Sequence, residues 1–110
     1  MHDKELVRGT LQTIILQLLN NNGEMYGYEI TQKVKELSDG KILVTEGALY
    51  PALHKLEDEG WLTTRKEKNG KRIRKYYALT TVGESAVNEK IETFRSFIST
   101  MYNVLQIKAV

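Results

Sequence analysis

Apolar residues recur at helical spacing in four stretches of the chain and alternate at strand spacing in two others. Leu11, Ile14, Ile15, Leu18 and Leu19 form one stripe, which predicts a helix over residues 9–21 ended by the turn-forming run Asn20-Asn21-Asn22-Gly23. Tyr26, Ile30, Val34 and Leu37 predict a second helix over residues 26–37, closed by Ser38-Asp39-Gly40. Leu49, Ala52, Leu53 and Leu56 predict a third, with Thr45 as its N-cap and Gly60 just past its C-terminus. At about 100° per residue, Gly47, Pro51 and His54 lie opposite that third stripe, while Tyr50 and Lys55 flank it. Pro51 cannot donate to the Gly47 carbonyl, so it sits near the first turn if the helix starts at Gly47 and kinks it if the start is Glu46. The spacing leaves both starts open.

The period then changes to two. Residues 61–66 and 73–79 alternate, and Lys68-Asn69-Gly70-Lys71 between them reads as a two-residue hairpin turn with positive φ at both Asn69 and Gly70. Trp61, Leu62, Tyr77 and Leu79 are expected to pack back onto the helices. The connector 41–44, with Ile42, Leu43 and Val44, offers a small edge strand to this hairpin. From Thr81 the helical period returns, and Thr81-Val82-Gly83-Glu84 matches a capping box. Val87, Ile91, Phe94, Ile98, Met101 and Leu105 follow at spacings of 4, 3, 4, 3 and 4, the seam of a heptad repeat. A helix of ~28 residues is about 40 Å long, more than a domain this small covers. Part of its seam should pack on the first helix and the rest on a second copy of the chain, so these six residues are the expected dimer contacts. The expected fold is therefore mainly α (α+β): a winged helix-turn-helix over residues 1–80 with a two-stranded basic wing, and a long dimerisation helix over residues 81–110.

Charge sharpens the picture. The net charge of +2 conceals a segment, residues 65–75, that holds seven of the sixteen basic side chains and one acid; it carries +6, against −4 for the other 99 residues. A basic hairpin on an acidic background, next to a helix that exposes His54 and Lys55, is the footprint of a nucleic-acid contact. By itself the hairpin also fits a solvated edge whose lysines discourage aggregation. The candidate contacts are therefore the helix arc with Gly47, Pro51 and His54, flanked by Tyr50 and Lys55, and the cations of residues 65–75. Tyr26 and Tyr28 either approach the nucleic-acid backbone or pack internally.

The remaining composition mostly excludes. A chain of 110 residues supports one modest core. The absence of cysteine removes disulfides, thiolate chemistry and thiolate zinc sites, and suits a reducing cytoplasm. No apolar run approaches the roughly 18 residues of a membrane helix, and the polar start lacks the form of a signal peptide. The expected location is cytoplasmic. No glycine pair has G-x-G spacing, and neither H-E-x-x-H nor G-x-S-x-G occurs. His2 lies in a tail and His54 has no second ligand at metal spacing. Glu57, Asp58 and Glu59 point in different directions and oppose the helix macrodipole, as solvated acids would. No enzyme activity, metal or cofactor is expected.

Several short motifs together resemble the PadR family of bacterial winged-helix repressors: Gly9-Thr10-Leu11, Tyr26-Gly27-Tyr28-Glu29-Ile30, Gly47-Ala48-Leu49-Tyr50-Pro51-Ala52-Leu53, Leu56-Glu57-Asp58-Glu59-Gly60, and Tyr76-Tyr77-Ala78-Leu79-Thr80 with Gly83. The resemblance spans residues 8–84. It implies a dimeric repressor of the branch with one C-terminal helix and a small hydrophobic or aromatic molecule as effector; the two-fold symmetry of such a dimer in turn makes a palindromic double-stranded DNA operator the expected partner. It also places Gly47, Ala48, Tyr50, Pro51, His54 and Lys55 in the groove-facing helix and Lys66, Lys68, Asn69, Gly70, Lys71 and Arg72 in the wing that meets the duplex. A winged-helix module that binds only protein would instead expose an apolar or acidic third helix, and an RNA binder would carry aromatic platforms on the wing.

Overall fold

The computed structural model of the chain describes residues 4–108; the tail containing His2, and the last two residues of the expected dimerisation segment, lie outside the described residues. The elements in chain order are α1 (Lys4–Asn22), β1 (Met25–Tyr26), α2 (Gly27–Leu37), α3 (Glu46–Asp58), β2 (Leu62–Asn69), β3 (Arg72–Leu79) and α4 (Thr81–Leu105). The strands form one antiparallel sheet in the order β1-β3-β2. Four helices and a small three-stranded sheet give the expected mainly helical winged architecture.

α1 is the central element, packed against α3, α4 and β3. Its buried residues are Leu11, Ile15, Leu16, Leu18 and Leu19. Leu16 lies off the predicted stripe and is buried because α1 has neighbours on more than one side. The helix starts at Lys4 rather than Gly9. One glycine lowers helix propensity without ending a helix that packing holds. α2 starts at Gly27. Tyr26 belongs to β1 instead, and its N–H donates to Oε1 of Glu29 at 3.0 Å, which satisfies one free donor at the helix entry. Ile30 and Val34 are buried as expected, whereas Leu37 is exposed, since α2 ends before its last turn reaches the core.

The sheet differs from expectation at its edge. Residues 41–44 form no strand; Ser38 Oγ accepts from the N–H of Ile42 at 3.0 Å, and Ile42 and Val44 lie against the core as loop side chains. The third strand is β1, where Met25 pairs with Tyr77 and Tyr26 with Tyr76. The hairpin turn also shifts by one residue. Asn69 pairs with Arg72, so Gly70 and Lys71 are the central residues, and only Gly70 has positive φ (67°). A glycine at the first central position with an ordinary second residue is the pattern of a II′ turn, so Lys71 needs no left-handed backbone.

The wing meets α4 at a tight junction. The helix cap is Thr80, not Thr81: its Oγ1 accepts from the N–H of Gly83 at 3.0 Å and donates to the Gly60 carbonyl at 2.7 Å. The Thr80 N–H donates to the Trp61 carbonyl at 3.0 Å. Gly83 lies so close to that carbonyl that a Cβ would overlap its oxygen. α4 then runs for 25 residues, about 38 Å. Along its seam Val87 is buried, Ile91, Phe94 and Met101 are half-buried, and Ile98 and Leu105 are exposed. The first half of the seam is covered within the chain, while much of the second half faces outward.

Because the Trp61 carbonyl belongs to the backbone and cannot swing aside, Gly83→Ala should destabilise the fold by about 3 kcal/mol or more. Thermal melting should show a fall in Tm above about 10 °C; a melt within a degree or two of the parent chain would show that the junction yields easily.

Candidate nucleic-acid interface

The orientation of α3 follows from its apolar stripe. Leu49, Leu53 and Leu56 each have 0% exposure, so the opposite arc is turned to solvent. Gly47, Pro51, His54 and Lys55 are exposed there. Ala48 is half-buried against the core beside Ala52, four residues on, so it borders the stripe instead of the open arc. Thr45 caps the helix, its Oγ1 accepting from the Ala48 N–H at 3.3 Å. The helix starts at Glu46, which makes Pro51 an interior residue, and the helix continues through it to Asp58. The Schellman bond of a glycine stop is present, from the Trp61 N–H to the Leu56 carbonyl at 3.0 Å.

Tyr50 is 38% exposed and leans on the start of α2. A Cβ on Gly27 would lie only 2.6 Å from its hydroxyl oxygen. The bare backbone at Gly27 is what lets the phenol rest across α2, so the Tyr-Gly-Tyr motif and the third helix fit as a pair.

Alternation divides the wing into two faces. On one, Leu62, Thr64, Lys66 and Lys68 stand beside Leu79, Tyr77, Lys75 and Ile73. Leu62 and Tyr77 at its base are buried in the core. Burial pushes the Tyr77 phenol above its usual range, with Glu57 and Tyr50 adding to the effect. Glu57 ties this face to α3, accepting from Thr64 Oγ1 at 3.4 Å and lying 3.6 Å from Lys75 Nζ. It is therefore a link between helix and wing as well as a partly solvated acid.

The other face carries a ladder of arginines and tyrosines. The Arg65 guanidinium donates from Nε to Glu24 at 2.8 Å and from Nη1 to Glu67 at 3.0 Å, and sits 4.5 Å from the Tyr76 ring centre. Tyr76 meets Tyr26 edge-on at 5.4 Å, and the Arg74 guanidinium covers the Tyr26 ring at 4.6 Å. These contacts join Glu24, β1 and both wing strands. The basic cluster is thus unequal. Arg65, Arg74 and Lys75 are engaged within the chain, whereas Lys66, Lys68, Lys71 and Arg72 are exposed with no acidic partner among the described residues. With Asn69 and Gly70 these four cations make up the outer wing.

The composition alone could not reveal that Arg65 is occupied, because Glu24 is 41 residues away in sequence. Its one legible sign was Glu67, two residues off on the same strand face. Among the described residues, no group of His, Asp and Glu is arranged to hold a metal ion, and no helix is long and apolar enough to cross a membrane.

Comparison with known proteins gives a consistent result. The profile described as "Transcriptional regulator PadR-like family" matches residues 15–89. The chain is 32% identical over 84 residues to the transcriptional regulator YqjI of Escherichia coli, covering 76% of this chain and 39% of that protein. It is 32% identical over 100 residues to the negative transcriptional regulator PadR of Bacillus subtilis, covering 90% of this chain and 54% of that one. The chain thus spans about half or less of the length of these two relatives. Among solved structures, a transcriptional regulator from Clostridium thermocellum superposes with a TM-score of 0.81 at 29% identity, covering 92% of this chain and 95% of that one. Bacillus subtilis PadR in complex with operator DNA superposes with a TM-score of 0.68 at 36% identity, covering 74% of this chain and 46% of that one.

The Arg65 anchor makes a pH-dependent prediction. Hydrogen bonds from Arg65 hold the Glu24 carboxyl below its ordinary range. A carboxyl whose pKa is lower folded than unfolded contributes stability that is present above the unfolded value, about 4.3, and lost as pH falls through the folded one. NMR titration should find Glu24 titrating below ordinary glutamates, and Glu24→Gln should speed amide exchange in β2 and β3 at neutral pH while α1 stays protected. An ordinary Glu24 titration with unchanged wing exchange would show that the anchor does not form.

Proposed function

Because this chain belongs to the PadR-like family of transcriptional regulators, we propose that it acts as a homodimeric repressor of transcription that binds a palindromic operator in double-stranded DNA. The observation that carries this reading is the pairing of two surfaces: an open arc of α3 with Gly47, Tyr50, Pro51, His54 and Lys55, and a wing tip bearing Lys66, Lys68, Lys71 and Arg72. A helix of this size fits the major groove, where base edges differ in donor and acceptor pattern. Cations at a wing tip suit phosphates, which set position without carrying sequence directly. The operator-bound structure of Bacillus subtilis PadR supports DNA as the partner, and that protein's name supports negative regulation.

In this reading residues 1–80 form the DNA-binding head and residues 81–110 the dimerisation segment. The apolar surface left open by the head supports the second half of that statement. Phe97 is 55% exposed, Ile107 55% and Leu6 62%, around a groove of about 320 Å³ between the start of α1 and the end of α4; Leu105, beside it on α4, is 60% exposed. A second copy laid against Phe97, Ile98, Met101 and Leu105 would remove this surface from water. A small hydrophobic or aromatic effector entering the same groove would change the angle between the two heads and so the fit to two half-sites. Regulation of transcription by a chain without cysteine suits the cytoplasm.

Binding to the DNA upstream of its own gene, followed by mobility shift against a scrambled duplex, tests the reading. Lys68→Ala with Lys71→Ala should weaken both duplexes to similar degrees. On a dimer this removes up to four phosphate contacts, so the slope of log K against log salt should flatten by roughly 3 to 4 units. A slope identical to that of the parent chain would contradict phosphate contact by the wing. The dimer has its own test. Ile98→Glu would bury a charge in an apolar seam, costing several kcal/mol if it stays ionised. Ultracentrifugation should show a dimer for the parent chain and weakened association for the variant, and a parent monomer at micromolar concentration would rule the dimer out.

A further inference from the structure

A duplex that takes a helix in one groove and a wing in the next must pass one sugar–phosphate strand between the two elements. Between α3 and β3 there is a cleft of about 370 Å³, with Tyr28, Tyr50, His54 and Ile73 on its walls. It continues into a groove of about 470 Å³ bounded by Tyr26, Tyr28, Arg72, Ile73 and Arg74. Tyr26, Tyr28, Ile73 and Arg74 line both, and of these Tyr28 and Ile73 are the exposed pair, forming the ridge along which the two spaces join. We propose that this ridge seats one sugar–phosphate strand of double-stranded DNA, with Ile73 packed on a deoxyribose face and the Tyr28 hydroxyl donating to a phosphate. This deepens the DNA-binding reading and rests on it.

The two side chains are conspicuous because the fold does not use them. Ile73 is 63% exposed and Tyr28 62% exposed. Ile73 pairs across the hairpin with Lys68, and β1 reaches only Tyr76 and Tyr77, so the β3 edge beside Ile73 has no strand on it. An isoleucine there contributes nothing to the core, and on a solvated basic wing it leaves apolar surface in water. A nucleic-acid backbone offers both kinds of surface in alternation: anionic phosphate, then the apolar face of a sugar. At the open edge of β3 the groove brings Ile73 together with Arg72 and Arg74, whose side chains leave the strand on its opposite face. Arg74 keeps its guanidinium face on Tyr26, and a guanidinium stacked on a ring still has its N–H edge available to an anion. Lys75 also lines the cleft, but its ammonium is already paired with Glu57.

The contacts of Ile73 and Tyr28 are neutral, which separates them from the wing lysines. A neutral contact releases no counterion, so removing it lowers affinity without altering the salt slope. A backbone contact carries no base information, so the weakening should be equal on any duplex. The test is fluorescence anisotropy of Ile73→Ala, Ile73→Val and Tyr28→Phe on two labelled duplexes, one of random sequence and one from upstream of the chain's own gene, over a salt series. Ile73→Ala and Tyr28→Phe should each weaken both duplexes by about three- to tenfold, with Ile73→Val intermediate and all salt lines parallel to the parent's. Their melting temperatures should match the parent's, because both side chains lie mostly in water. Parent-like affinity in both variants would overturn the seat. So would a weakening confined to the upstream duplex, which would make Ile73 a base reader, or a changed salt slope. If the parent chain bound neither duplex, the DNA-binding reading would fail with it, and that outcome is visible before any variant is made.

Discussion

Leu49, Leu53 and Leu56 have no exposed surface, and their burial against the rest of the core fixes the rotation of the third helix about its own axis. A turn of one residue, about 100°, would drag a leucine into water and push a polar neighbour towards the core. Each leucine buried contributes roughly 2 kcal/mol, so the alternative rotations are excluded by several kcal/mol. The open arc with Pro51, His54 and Lys55 is the geometric complement of this stripe. α1 supplies much of the surface that receives the leucines, with Leu11, Ile15 and Leu16 almost wholly buried. What the molecule presents outward is therefore decided by what it hides.

The wing inherits its placement from the same helix. Glu57, in the last turn of α3, holds Lys75 and Thr64 on one face of the hairpin. On the other face Glu24 holds Arg65, and Tyr26 holds Arg74 and Tyr76. Exposed ion pairs of this kind contribute little stability one by one. Arranged on both faces, they restrict where the hairpin can lean. Three of the cations that make the segment basic act as guy-ropes, and the outer four remain for an anionic partner. Gly83 under the Trp61 carbonyl then sets where α4 leaves the head, and with it the direction of the exposed Phe97–Leu105 surface.

Much of this was legible in the sequence wherever one periodicity dominated. The stripe of α3 and the first half of the α4 seam needed only local spacing, because each buries one face within the chain; α1, with neighbours on more than one side, also buries Leu16, which its stripe did not include. Thr45 and Gly60 announced their helix ends. The failures fall where the deciding contact is distant or where two neighbours compete. Thr80 and Thr81 are both plausible caps by type; Thr80 prevails because its hydroxyl also reaches the Gly60 carbonyl, 20 residues earlier. Asn69-Gly70 and Gly70-Lys71 are both plausible turns; moving the turn by one residue shifts the pairing by two, so every side chain keeps its face. Alternation therefore does not distinguish the observed register, Leu62 opposite Leu79, from one with Leu62 opposite Tyr77. Met25–Tyr26 is too short a strand to show alternation, and the apolar run at 41–44 imitated one. The occupied state of Arg65 depends on Glu24, which no local pattern connects to it.

Under the proposed function, the outward arc of α3 reads bases while the wing holds the backbone. The most direct measurement of this division is the affinity of His54→Ala for the upstream fragment and for a scrambled duplex at one fixed salt concentration, with a thermal melt as control. His54 is exposed and opposite the leucine stripe, so the fold should be unaffected. If His54 reads a base, the gap between the two duplexes narrows by about 1–3 kcal/mol for each base that the side chain no longer reaches, twice over on a symmetric dimer. Equal weakening on both duplexes, or no change on either, would contradict it.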